Sequence, residues 1–284
     1  MGTLYKLSGA GNDFIVLDGR SGGVEEYRKE VTIRTLCDRN TGFKAADGRV
    51  GADGVMILSS SDDGAWDFVM EYFNSDGSSG MMCGNGGRCI VAFADFMGIV
   101  PANGKFYEFL AADGPHTGEI LGRDGHSCTV KLKMKDVSEY RRCTDGWFLD
   151  TGTRHFVKFV DDVEAVDIAT EGPRYRWSEE FAPIGANVNF VQVLPDGSLK
   201  VRTFEKGVED ETLACGTGIT ASALAAQLEA WHKDAGTDTP ASSGTTAKSI
   251  HTAVHARIDE LAVDFTPSGS IFTDVFLTGP AALI

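Results

Sequence analysis

The chain spells out one pattern twice. Gly11-Asn12-Asp13-Phe14-Ile15-Val16-Leu17-Asp18 is echoed by Thr153-Arg154-His155-Phe156-Val157-Lys158-Phe159-Val160-Asp161. Gly51-Ala52-Asp53-Gly54-Val55 is echoed by Gly185-Ala186-Asn187-Val188-Asn189, and Cys83-Gly84-Asn85-Gly86 by Cys215-Gly216-Thr217-Gly218. Three phrases in one order at nearly constant separation point to a duplicated half, so the second half should rebuild the fold of the first. Short Gly/Ala phrases also recur by chance in a chain with 34 glycines, and the matched cysteines are what weigh against chance.

At 284 residues there is room for one large or two medium domains. Hydrophobic residues at 42% and charged residues at 24% are the balance of a soluble globular protein. A net charge of −15 argues against a nucleic-acid partner, because nothing here would neutralise phosphates. No apolar run approaches the ~20 residues that span a bilayer, which argues against a membrane role. The opening Met1-Gly2-Thr3-Leu4-Tyr5-Lys6-Leu7 reads as a strand and not as a signal peptide, so the cytoplasm is the expected compartment. Six cysteines in such a chain then mean thiols and not a disulfide framework.

Each half reads as α+β. Residues 6–18 read as two strands around a turn, 24–38 as a short helix, 55–58 and 67–73 as strands, and 83–97 as a helix stopped by Gly98. Short strands with Gly/Asp turns fill residues 105–135. The order then returns, with strands at 156–160, 189–194 and 199–204 and a helix at 215–232. Residues 234–249, rich in Gly, Ser and Thr, read as an exposed excursion, and strands at 253–265 and 271–277 follow. The last residues are too short to stand alone and are expected to rejoin the first half. The expected domains are residues 1–122 plus 278–284, carrying Cys83, and residues 123–277, carrying Cys215. Long helices amid mostly antiparallel strands exclude an alternating parallel fold.

Chemistry concentrates at the two cysteine phrases. A thiol at a helix start lies near unpaired backbone N–H groups and the positive end of the helix dipole, which favour its thiolate. The same N–H groups bind carboxylates. Two such thiols suggest a pair of proton-transfer groups for one amino-acid substrate. One would take an α-hydrogen and the other would return a proton, with electrostatic stabilisation of the carbanion-like state supplying most of the help. Cys37, Cys89, Cys128 and Cys143 read as inert core thiols. A zinc site is disfavoured because there is no CxxC, and Cys83/Cys89 are too widely spaced. His251 and His255 stand four apart, yet their segment alternates like a strand, so they read as surface residues. No phosphate loop is present. Neither a metal nor a cofactor is expected.

These residues resemble the diaminopimelate epimerase family, cofactor-independent amino-acid racemases and epimerases, over nearly the whole chain. The resemblance rests on Gly11-Asn12-Asp13-Phe14, Phe73-Asn74-Ser75-Asp76-Gly77-Ser78, Met82-Cys83-Gly84-Asn85-Gly86-Gly87-Arg88-Cys89, Ala186-Asn187-Val188, and Glu205 through Cys215-Gly216-Thr217-Gly218. It implies two pseudosymmetric domains, each a mostly antiparallel sheet wrapped around a central helix, with the active site in the cleft between them. It also implies interconversion of LL- and meso-2,6-diaminopimelate for lysine and cell-wall synthesis. Cys83 and Cys215 then resemble the acid/base thiols, and Asn12, Asn74 and Asn187 the substrate ligands. Gly84-Asn85 and Gly216-Thr217 resemble the carboxylate holders, and His155 and Glu205 the groups that bias thiol protonation. A homodimer is the expected assembly.

The chain departs from the family pattern at Gly152-Thr153-Arg154-His155, where many members have Gly-Asn-Pro-His, and at Glu205-Lys206, where they have Glu-Arg. A glutamine that contacts substrate in some members is Gly54 here, as in others. The first two changes fall where the distal carboxylate is expected. Lys206, a point charge, lacks the paired hydrogen bonds of a guanidinium. Arg154, beside Thr153, either reaches that carboxylate in compensation or lies on a solvent-facing loop. A two-thiol epimerase of another amino acid and a catalytically inactive binding protein remain as alternatives.

Overall fold

The computed structural model describes residues 2–80, 83–235 and 248–284. In chain order the elements are β1 (Leu4–Gly9), β2 (Asn12–Asp18), α1 (Glu30–Cys37), β3 (Gly54–Ser59), β4 (Phe68–Asn74), α2 (Gly84–Phe96), β5 (Tyr107–Ala111), β6 (Gly114–Asp124), β7 (Ser127–Lys133), β8 (Tyr140–Cys143), β9 (Gly146–Asp150), β10 (Arg154–Phe159), α3 (Ile168–Arg176), β11 (Asn187–Val193), β12 (Leu199–Glu205), β13 (Asp210–Thr212), α4 (Gly216–Ala235), β14 (Ile250–His255), β15 (Glu260–Ser268) and β16 (Ile271–Leu283). The chain divides into two compact units, residues 1–132 with 279–284 and residues 133–278. The expected boundary after residue 122 would cut β6, whose hairpin with β7 sets Asp124 opposite Ser127.

In the first unit the ladder runs from β1 through β7 to residues 279–282 of β16, and Leu283 then pairs with Leu7 of β1. The ladder thus closes on itself. Helix α2 packs against β1, β2, β3 and β6, and every residue from Gly84 to Ala94 is buried. A helix covered on all sides needs a sequence without a solvent face, and Cys89-Ile90-Val91-Ala92-Phe93-Ala94 supplies one. Helix α1 covers the other face of the sheet, where Ile33 and Cys37 pack with Ile15, Leu17, Val55 and Ile57. Covered on both faces, β2 buries everything from Asp13 to Leu17, so it reads as an unbroken apolar run without alternation.

The second unit repeats the plan. Its ladder runs β8-β9-β10-β11-β12-β14-β15-β16, with β13 paired to β12, and α4 packs against β9, β10, β11, β12, β14 and β15. β1/β2 and β9/β10 are antiparallel, β2/β3 and β10/β11 parallel, β3/β4 and β11/β12 antiparallel, and β4/β5 and β12/β14 parallel. The registers agree with the sequence echo as well. Phe14 stands opposite Gly54 and Phe156 opposite Val188, the pairs that the two aligned phrases specify.

Several elements differ from their sequence reading. Residues 24–38 are a 3-10 turn (Glu25–Arg28) followed by α1, because Lys29 between them is extended at φ −79°, ψ 131°. The strand expected over 253–265 is a hairpin turned at Ala256–Asp259, where Ala256 N–H donates to Asp259 O. β8, β9 and α3 were not anticipated. Helix α3 contains Gly172-Pro173, a breaker pair in sequence terms. Glycine is required there by packing, since a Cβ at 172 would come within 2.5 Å of the Phe204 ring. Asp167 caps the helix by accepting from Thr170 N–H at 3.3 Å. The excursion expected at 234–249 lies, for residues 236–247, outside the described residues.

Candidate active site

In the first unit, Cys83 is the N-cap of α2, extended at φ −110°, ψ 154°, and its Sγ accepts from Gly86 N–H at 3.2 Å. The thiol thus takes the place of a serine or aspartate cap and holds one of the unpaired donors of the first turn. Beside it runs a chain of side-chain amides. Arg88 Nη2 donates to Asn85 Oδ1 (2.8 Å), Asn85 Nδ2 to Asn12 Oδ1 (2.7 Å), and Asn12 Nδ2 to Asp53 Oδ2 (2.9 Å). A guanidinium that only donates and a carboxylate that only accepts fix the orientation of both amides. Arg39 bridges Asp13 and Asp53, and buried Lys6 pairs with Asp13 at 2.7 Å. Asn12 and Asn85 are therefore brought together at the head of α2. Asn74 is held by its own turn, donating from Nδ2 to Ser78 Oγ at 3.0 Å.

The second unit builds a denser cluster. Cys215 is buried ahead of α4, its carbonyl accepts from Ile219 N–H, and its Sγ lies 3.4 Å from Thr217 Oγ1. Thr217 Oγ1 is 2.9 Å from His155 Nε2 and 3.0 Å from Thr153 Oγ1, which is itself 2.9 Å from the same nitrogen. Thr151 Oγ1 donates to Thr217 O (2.9 Å). On the far side of the imidazole, Nδ1 meets Asn189 Nδ2 at 3.1 Å. A side chain at Gly218 has no room here, since its Cβ would stand 2.4 Å from Asn189 Oδ1.

His155 is fully buried, and that burial pushes its pKa down to about 3. It is neutral at physiological pH, so it offers Thr153 and Thr217 a hydrogen bond and not a charge. The sign for stability follows. The unfolded chain, with an ordinary histidine value of 6.5, binds a proton that the folded state refuses. Stability is therefore lost as pH falls from about 6.5 towards 3. His155→Gln should flatten this loss, which thermal unfolding midpoints across that range will read.

The other expected ligands lie beside the ends of β10 and β12. Asn187, buried, donates from Nδ2 to Arg154 O (3.0 Å) and accepts at Oδ1 from Lys206 N–H (2.8 Å), tying the start of β10 to the end of β12. Glu205 Oε2 accepts from Thr212 Oγ1 at 2.8 Å. Arg154 opens β10 and does not lie on a solvent-facing loop. It is half-buried, with its guanidinium 5.2 Å from the Phe148 ring centroid and Nη1 reaching Phe181 O at 3.5 Å. The Lys206 side chain is exposed, and its ammonium has no ion-pair partner among the described residues.

The remaining cysteines are chemically different. Burial pushes Cys37, Cys89 and Cys143 up to about 12 and raises Cys128, so all four stay protonated. His251 and His255 lie on β14, with His251 Nδ1 2.8 Å from Asp264 and His255 Nε2 3.3 Å from Ser198 Oγ. Among the described residues no group of three or more His, Cys, Asp or Glu could hold a metal ion, and no helix is long and apolar enough to cross a membrane. Sequence reasoning gave no role to Arg88, Asp53, Asn189, Thr151 or Thr203. Arg88 carried a signal: an arginine inside an otherwise apolar, fully buried helix must have a partner.

Two pseudosymmetric sheet-and-helix units, each with a cysteine heading its central helix, define a racemase/epimerase-type α+β fold. The same fold occurs in the solved structure of a phenazine biosynthesis protein of the PhzF family from Bacillus anthracis. It is 11% identical with a TM-score of 0.67, over 99% of this chain and 96% of that one. A hydroxyproline epimerase from Agrobacterium vitis is 14% identical with a TM-score of 0.62, over 99% and 88% of the two chains. In sequence, a diaminopimelate epimerase from Flavobacterium psychrophilum is 38% identical over 99% of this chain and 97% of its own. One from Chlorobaculum tepidum is 44% identical over 77% and 80%, and one from Aquifex aeolicus 39% identical over 97% and 93%. The diaminopimelate epimerase family model matches residues 4–115 and 147–265. The chain belongs to the diaminopimelate epimerase family.

Proposed function

We propose that this protein interconverts LL- and meso-2,6-diaminopimelate, with Cys83 and Cys215 as the two proton-transfer groups. The observation that carries the proposal is the repeated placement of one thiol at the head of each central helix. One thiolate takes the α-hydrogen while the other thiol delivers its proton to the same carbon, which inverts the configuration. The backbone N–H groups of Gly84, Asn85, Gly216 and Thr217, with the positive ends of α2 and α4, stabilise the charge that develops on the reacting carboxylate. No step needs a metal or an organic cofactor. Six free thiols and no disulfide fit a cytoplasmic enzyme. The test is turnover: chelator-dialysed protein should convert LL-diaminopimelate to the meso isomer. Inertness towards it, with racemisation of another amino acid, would move the chain to a different substrate.

Lys206 is the proposed anchor of the distal carboxylate, because its ammonium is exposed while Arg154 is engaged by Phe148 and Phe181. Lys206→Ala should raise KM by about 10- to 100-fold, the scale of a lost hydrogen bond to a charged group. Arg154→Ala should leave KM within about twofold, since a stacked guanidinium contributes only local packing. Steady-state kinetics on both variants decides between the two cations. The opposite ranking would return the distal contact to Arg154.

A further inference from the structure

We propose that Asn189 is a positioning residue for Cys215, acting by fixing the tautomer of His155 and thereby the direction in which the Thr217 hydroxyl donates. The inference rests on Cys215 being a proton-transfer thiol, and it adds a residue that touches neither the thiol nor a substrate. Asn189 lies on β11, wholly buried, between the imidazole, the Phe156 carbonyl and the Thr203 hydroxyl. Its Nδ2 is 3.1 Å from Phe156 O, a carbonyl that can only accept, so the amide nitrogen must face that way. In that orientation its Oδ1 accepts from Thr203 Oγ1 at 3.0 Å. The second Nδ2 hydrogen then points at His155 Nδ1, 3.1 Å away. That nitrogen must be bare, and a neutral imidazole with a bare Nδ1 carries its proton on Nε2.

The consequence runs to the thiol. Nε2–H, the Thr153 hydroxyl and the Thr217 hydroxyl form a triangle with sides of 2.9, 2.9 and 3.0 Å, and Cys215 Sγ stands 3.4 Å beyond Thr217 Oγ1. Three hydrogens share three acceptors: the two hydroxyl oxygens and the sulfur. Because Nε2 cannot accept, every arrangement that satisfies all three hydrogens within the cluster sends the Thr217 proton to Cys215 Sγ. The opposite tautomer would let Nε2 take that proton, with Thr153 donating to Thr217, and turn the Thr217 hydrogen away from the sulfur. Asn189 thus keeps a hydrogen bond aimed at the sulfur, where it stabilises the thiolate. In the first unit, Cys83 Sγ accepts from Gly86 N–H.

The test reads the tautomer without turnover. Protein labelled with 15N-histidine should show His155, assigned by its loss in His155→Gln, with a one-bond proton coupling at Nε2 and a bare Nδ1. A proton on Nδ1 in the wild type overturns the proposal whatever the activity. In Asn189→Ala, kcat should fall by about 10- to 100-fold with KM within about twofold, and alkylation of Cys215 by iodoacetamide should slow. In Asn189→Asp the carboxylate accepts at that site, and the coupling should move to Nδ1 with a similar loss of kcat. A folded Asn189→Ala protein with undiminished kcat also overturns it. A wild type with the Nε2 proton that converts no diaminopimelate would instead contradict the epimerase reading and leave the tautomer assignment standing.

Discussion

Cys83→Ala and Cys215→Ala proteins should fold like the wild type and lose epimerisation by about 100- to 10,000-fold, the range removed with a general acid or base. Each alone should suffice, because inversion needs a base on one side of the α-carbon and an acid on the other. The structure also supplies the control. Cys37, the last residue of α1, packs with Ile33 and Val55, and burial raises its pKa to about 12, which keeps it protonated. Cys37→Ala should cost some stability and leave kcat unchanged. Steady-state turnover of LL-diaminopimelate by the three variants, beside their melting temperatures, makes the comparison. Wild-type turnover in either Cys83→Ala or Cys215→Ala would remove the two-base mechanism.

Gly218→Ala carries the second largest effect. The new methyl would stand 2.4 Å from Asn189 Oδ1 and 3.3 Å from both Cys215 Cβ and His155 Cε1. Asn189 cannot retreat without giving up its bonds to Phe156, Thr203 and His155, all buried. Either that network breaks or the first turn of α4 shifts outward, carrying Cys215 and Thr217 with it. Overpacking of this kind costs about 1–3 kcal/mol of stability, and an ångström of misplacement at reacting groups costs about 100-fold in rate. The matching glycine of the first unit should behave more mildly. A Cβ at Gly86 would meet Cys83 Sγ at 3.3 Å and Met56 Sδ at 3.6 Å, soft neighbours that can move. Comparing kcat and urea midpoints of Gly86→Ala and Gly218→Ala reads the difference, and equal losses would show that the tight packing around Asn189 does not govern Cys215.

Legibility in the sequence follows from how each feature is encoded. The duplication was visible because matched phrases sit where β2/β3 and β10/β11 pair in the same register. The cysteines were visible because a thiol before a glycine-rich helix start is an unusual cap. Helix α3 was hidden because its glycine answers to the Phe204 ring across space, a constraint that no local window contains. Asn189 was hidden for the same reason. In sequence it is one polar residue in a strand, and its meaning comes from Phe156 on the neighbouring strand and Thr203 on the next. The packing of Arg154 against Phe148 was beyond reach too, because one residue's identity does not say which ring its guanidinium meets.

The central claim is that one thiol removes the α-hydrogen and a different one supplies its replacement, and hydrogen labelling measures this most directly. LL-diaminopimelate is incubated with the enzyme in deuterated water, and at low conversion the substrate and product pools are separated and their α-carbons analysed by mass and configuration. Two separate thiols predict meso product that carries solvent deuterium from the first turnover, while recovered LL substrate remains protiated. Deuterium entering the recovered substrate as fast as the product, or protium returning to the inverted carbon, would show a single base serving both faces and contradict the roles given to Cys83 and Cys215.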